Sequence, residues 1–217
     1  MHDRFDVAPV AANHGKPQTP RRGSVDGSTR GVNQMGESKP HRGVLLIVGA
    51  FSNDPAALAT IRVRVEAEWG PIFLDSPVYD FDQTRYYEAE MGSELKKQFW
   101  ALENLIEPAD LAEIKQLTNG WEAEYADENN RNDVLRPVNI DPGYLTEAKL
   151  VLATTKDRDH RIYLSQGIFA EVTLTYHRDG WQDSRWTYPD YCTAGYHEFF
   201  NECRQCLRER FREENVR

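Results

Sequence analysis

Cysteine is scarce in this chain: three residues in 217, all in the last segment (Cys192, Cys203, Cys206). An odd, clustered set does not make a disulfide framework, so a reducing compartment, the cytoplasm, is expected. Long apolar runs are missing too. None approaches the roughly twenty residues of a membrane span, and the N-terminus has no apolar core of a secretory signal, which argues against membrane insertion and export. The glycine-rich phosphate loop ending in Gly-Lys-Ser/Thr is also lacking, as are a nucleophile elbow and a dinucleotide fingerprint. Cys203 and Cys206 would supply half a zinc site, and no second Cys or His pair stands at suitable spacing, so no metal site is expected. No residue pattern names a cofactor or dictates an oligomeric state.

Positive charge is the other deficit, with 26 Lys and Arg against 35 Asp and Glu. It is unevenly spread. Through Arg42 there are seven basic and four acidic residues, and beyond it nineteen and thirty-one. An acidic body neutralises few phosphates, which excludes broad duplex nucleic acid binding.

What is present divides into two parts. Residues 1–42 are crowded with Gly, Pro, Ser, Arg, Asn and His without apolar periodicity, and are expected to form a disordered arm because they cannot bury enough surface to offset chain entropy. The chain as a whole is 40% hydrophobic, and residues 43–217 carry most of that apolar material, enough for a single α+β domain. Val44 to Ala50 reads as a strand buried on both faces. Asp54-Pro55 opens a helix carrying Leu58, Ile61, Val65 and Trp69, which Gly70-Pro71 stops. Strands are expected near Ile72 to Phe81 and Leu95 to Ile106, around an aromatic and acidic insertion from Tyr86 to Gly92. A second helix follows Pro108, with Asp110 and Glu113 spaced as a capping box and Leu111, Ile114, Leu117, Trp121 and Tyr125 on one face. A short strand from Arg136 to Ile140 then ends at an Asp141-Pro142-Gly143 turn.

The resulting βαββαβ order is the ferredoxin-like, split βαβ pattern, in which two helices cover one face of a four-stranded antiparallel sheet. Thr146 is placed to cap a helix bearing Leu150, Val151 and Leu152. A β-meander over Arg161 to Leu164, Ile168 to Tyr176 and Trp181 to Tyr188 follows, and a long terminal helix closes the chain with Tyr196, Phe199, Phe200, Cys203, Leu207 and Phe211 inward.

The segments Asn139-Ile140-Asp141-Pro142-Gly143-Tyr144-Leu145-Thr146, Lys149 to Asp157, His160 to Leu164, Gly167 to Leu174 and Trp186 to Tyr191, with Gly70-Pro71, Phe81-Asp82, Tyr86-Tyr87 and Glu90-Met91-Gly92 upstream, resemble a prokaryotic family. It is the uncharacterised domain of unknown function forty-four sixteen. The resemblance implies a bacterial or archaeal origin and brings no catalytic residues with it. Some relatives are labelled GTP-binding protein. The loop after the first strand, Gly49-Ala50-Phe51-Ser52-Asn53-Asp54-Pro55, has neither the lysine nor the second glycine of a phosphate loop.

The strongest candidate for chemistry is the loop Thr154 to Arg161. Thr155, Lys156, Arg158, His160 and Arg161 can converge on phosphate or carboxylate oxygens, the arginines through paired donors. The competing reading is a solvated connector in which Asp157 and Asp159 neutralise the cations. Asp141, Tyr144 and Lys149 form a second cluster at a strand end. Glu171 could pair with His160 for proton transfer, against the ordinary use of Glu at a solvent-facing strand position. Trp186, Tyr188, Asp190 and Tyr191, and likewise Tyr86 and Tyr87, could stack a ring or simply pack. Three functions follow: binding of a small anionic, phosphorylated or nucleotide-like ligand; an enzyme using Asp141, His160 or Glu171 for acid-base chemistry on it; or a protein-interaction adaptor.

Overall fold

The computed structural model describes residues 39–84, 86–129 and 134–216; the arm expected over 1–42 lies outside them except for its last four residues. The described part of the unit Pro40–Arg217 is built on one nine-stranded antiparallel sheet and its covering helices, an α+β architecture.

The first strand, β1 (Val44–Ser52), is buried along its whole length. Alternate side chains of a strand point to opposite faces, so an unbroken apolar run requires cover on both. Leu46, Val48 and Ala50 face Ala57, Leu58, Ile61 and Val65 of α1 (Pro55–Trp69) and Ile114, Trp121 and Tyr125 of α3 (Leu111–Asn129). Leu45 and Ile47 face the other way, onto Tyr196, Phe199, Phe200, Cys203 and Leu207 of α4 (Ala194–Val216). Helices α1 and α3 thus pack on one face of β1 and α4 on the other.

Strands β2 (Ile72–Asp75), β4 (Lys96–Ile106), β1, β5 (Asn139–Leu145), β6 (Lys149–Thr154), β8 (Ile168–His177) and β7 (Ile162–Ser165) lie side by side in that order. The short β3 (Tyr79–Asp80) pairs with β4, and β9 (Gly180–Asp183) with β8. A single turn, α2 (Glu88–Met91), lies in the insertion between β3 and β4.

Four local expectations are corrected. Asp141-Pro142-Gly143 is not a turn: β5 runs through it, paired to β1 from Phe51↔Asn139 to Leu45↔Leu145. Pro142 is tolerated because β6 joins the other side of β5 only from Gly143 onward. Residues 149–154 form a strand rather than a helix, so Thr146 does not cap one; its hydroxyl instead accepts from Ala148 and Lys149 N–H in the β5–β6 turn. The reciprocal cap before α3 falls one turn earlier than expected, with Glu107 N–H donating to Asp110 at 3.3 Å. Leu117 is exposed, and Lys115 and Thr118 take inward positions on α3. Among the described residues no helix is long and apolar enough to cross a membrane.

Candidate functional site

A cavity of about 820 Å³ opens where the ends of β1, β4, β5 and β6 meet the loop after β6 and the segment between β9 and α4. Antiparallel register fixes its floor: Phe51 sits opposite both Lys97 and Asn139, Gly49 opposite Asp141, and Leu152 opposite Glu171. Residues distant in sequence are thus brought to one end of the sheet.

Lys97 is the deepest cation, with a side chain only 2% exposed. Its ammonium donates to Asp190 at 2.7 Å and lies 4.5 Å from the Tyr191 ring centre and 5.2 Å from that of Phe81. Opposite charge and ring faces replace the water a buried ammonium loses. Beside it, Lys115 donates to the Ile140 carbonyl and stands 3.7 Å from Asp141, while Arg136 binds Glu122 at 2.8 Å. Asn139 donates to Asp141 at 2.7 Å. Burial works against the charged form of Asp141, but Lys115, Lys97, the Asn139 hydrogen bond and Arg136 outweigh it and hold the carboxyl below its ordinary range.

The wall is the loop after β6. Arg161 donates through Nε to Glu171 at 2.6 Å, through Nη2 to the Tyr188 hydroxyl at 2.7 Å and through Nη1 to the Lys156 carbonyl at 2.8 Å, tying the loop to β8 and to the segment before α4. His160 Nε2 lies 3.2 Å from the same Glu171 carboxylate and Nδ1 3.2 Å from Asp159, and its ring stacks on Trp186 at 4.6 Å. Burial first, and Glu171 second, push the Tyr188 hydroxyl above its ordinary value. At the rim, Lys156 stands over the Tyr86 ring, 5.2 Å from its centre, and both Lys156 and Arg158 are exposed.

The residue expectations are therefore placed as follows. Asp141, His160 and Glu171 line one cavity together with Thr155, Lys156, Arg158 and Arg161. Glu171 is 4% exposed, not solvent-facing. Tyr144 and Lys149 lie elsewhere. Tyr144 packs against Leu111, Val151 and Ile168, and Lys149 begins β6 at the end away from Thr154, five residues or roughly 16 Å along a strand. The aromatic runs Tyr86-Tyr87 and Trp186 to Tyr191 contribute walls.

Sequence reasoning missed Lys97, Lys115 and Arg136. A signal existed for the two lysines: Lys97 falls on an inward position of β4 in register with Phe99, and Lys115 on the apolar stripe of α3, positions where an ammonium is rare unless paired. In total six Lys or Arg line the cavity against four Asp or Glu, the reverse of the balance in the chain as a whole. Lys97, Lys115, Arg136 and Arg161 have carboxylate partners; among the described residues, Lys156 and Arg158 have none within ion-pair distance.

No curated protein and no solved structure matches the chain. A family model does, over residues 42–206, which takes in all of the sheet and most of α4, and by that match the chain belongs to the family described as Domain of unknown function (DUF4416).

Proposed function

We propose that the protein binds a small anionic, phosphorylated or nucleotide-like ligand in this cleft. One observation carries the reading: Lys156 and Arg158, exposed and without carboxylate partners among the described residues, stand at the mouth of an aromatic-walled cavity whose other cations are already neutralised. An anion entering there meets two free donors, and its apolar or planar part meets Tyr86, Tyr87, Trp186 and Tyr188. The volume suits a ligand of nucleotide size. The free thiols Cys192, Cys203 and Cys206 suit the cytoplasm as the working compartment.

Calorimetric titration with a panel of nucleotides and phosphorylated metabolites tests the reading. Charge-assisted hydrogen bonds contribute about 1.5–3 kcal/mol each, so Lys156→Ala with Arg158→Ala should weaken the best ligand by at least about a hundredfold. Unchanged affinity in that double variant would remove these residues from the site, and a panel without a binder would remove the function.

A second reading, acid-base catalysis on the same ligand, rests on the 3.2 Å approach of His160 Nε2 to Glu171 within reach of the cavity that also holds Asp141. Under it His160→Gln abolishes turnover while leaving ligand affinity within a few-fold; equal loss of both would make His160 a binding residue only.

A further inference from the structure

A second concentration of cations lies away from the cleft, in an open groove of about 600 Å³ between α4 and the β8–β9 turn. Helical spacing puts Arg204, Arg208 and Arg212 on one face of α4, four residues apart, and the turn adds Arg178 across the groove. Arg204 is held in place: it donates to the Glu147 carbonyl at 2.6 Å and its guanidinium carbon stands over Tyr176, 3.5 Å from the ring centre. Arg208 reaches the Glu147 carboxylate at 3.2 Å, with both groups substantially exposed. Arg178 and Arg212 are exposed and, among the described residues, have no carboxylate within ion-pair distance. Glu209 and Asp179 are the acids of the groove, so arginine outnumbers acid two to one there. Burial and the neighbouring Arg208 both disfavour the charge on Arg204, a crowding that an incoming anion relieves.

We infer that this groove docks an extended acidic peptide segment of a partner protein. Three observations select that occupant. Successive arginines along the face are about 6 Å apart, four residues at 1.5 Å each, close to the roughly 6.8 Å between same-side residues of an extended strand. Asn201 and Gln205 line the same groove and carry amide groups suited to a peptide backbone, the Gln205 amide also donating to Glu209 at 3.1 Å. A single-stranded nucleic acid would need exposed rings on which to stack bases, and the ring in this groove, Tyr176, is already covered by Arg204. The duplex is disfavoured by the acidic body around the groove.

Fluorescence anisotropy on the full chain decides it, using a short labelled polyglutamate peptide, a polyglutamine peptide and an oligothymidylate of equal length. Polyglutamate should bind, more weakly as salt rises, and Arg178→Ala with Arg212→Ala should weaken it by about tenfold or more. Neither side chain has an ion-pair partner among the described residues, so the variant should fold, and circular dichroism checks that it does. Lys156→Ala with Arg158→Ala should leave this binding unchanged, which separates the groove from the central cleft. The inference fails if polyglutamate does not bind, if polyglutamine binds as well, if the oligothymidylate binds more tightly, or if the cleft variant is the one that loses the peptide.

Discussion

Arg161 and Glu171 are 5% and 4% exposed, and each is the other's principal charge partner. Removing one leaves the other buried without its main partner, Glu171 keeping only His160 at 3.2 Å, at a cost of about 3–5 kcal/mol, whereas replacing both with apolar groups of similar size is near neutral. Arg161→Met alone should therefore lower the unfolding free energy in urea by about 3 kcal/mol, and adding Glu171→Leu should restore most of it. A single variant as stable as the wild type would mean that the pair is solvated in solution. The donors of residues 155–161 stood together in the sequence and were legible as a cluster; that Glu171 would be buried against them was not, because its strand neighbours Thr173 and Thr175 gave β8 a half-polar face. Asp141 adds a pH signature. Its folded pKa lies below the unfolded value of about 3.9, so its contribution to stability is complete above that pH and disappears as the pH falls through the folded value. Asp141→Asn should flatten the acid limb of a stability profile below about pH 4, and an unaltered limb would exclude the carboxylate as its source.

At the scale of elements, the course of β5 sets the geometry of the cavity floor. A Cβ on Gly143 would stand 2.4 Å from the Val151 carbonyl oxygen and 3.3 Å from the Leu152 Cα, both backbone atoms that cannot turn aside. Gly143→Ala should accordingly cost about 1–3 kcal/mol and, because Asp141 is two residues away, weaken cleft ligands as well. Thermal unfolding with and without ligand would show both losses, and a neutral substitution would mean that β5 and β6 are farther apart. This contact also explains why two elements were misread. Asp-Pro-Gly carries strong turn chemistry, yet the glycine serves close strand approach and the proline sits where one ladder is absent. Leu150-Val151-Leu152 is too short an apolar run for its period to separate helix from strand, and only pairing with β5 and β8 decides it. By contrast α1, with Asp54 accepting from Ala56 N–H at 2.9 Å and Pro55 in the first turn, and α4, with six inward side chains at helical spacing, were legible because their signals are local.

For the whole molecule, α4 covers the central part of one sheet face. Leu45, Ile47, Phe99, Leu152 and Leu174 all pack in the cluster it completes. Ending the chain before Ala194 should yield an aggregating product without cooperative unfolding, and a soluble, two-state product would show that the face tolerates water.

The cleft draws on β1, β4, β5, β6, β8 and the segment before α4, so no fragment of the chain contains it. Anything captured there recognises the native state and ignores the denatured one, and must raise the melting temperature by an amount that grows with the logarithm of its concentration above Kd. A ligand search can then be run by heat alone, with the molecule's own cooperativity as the detector.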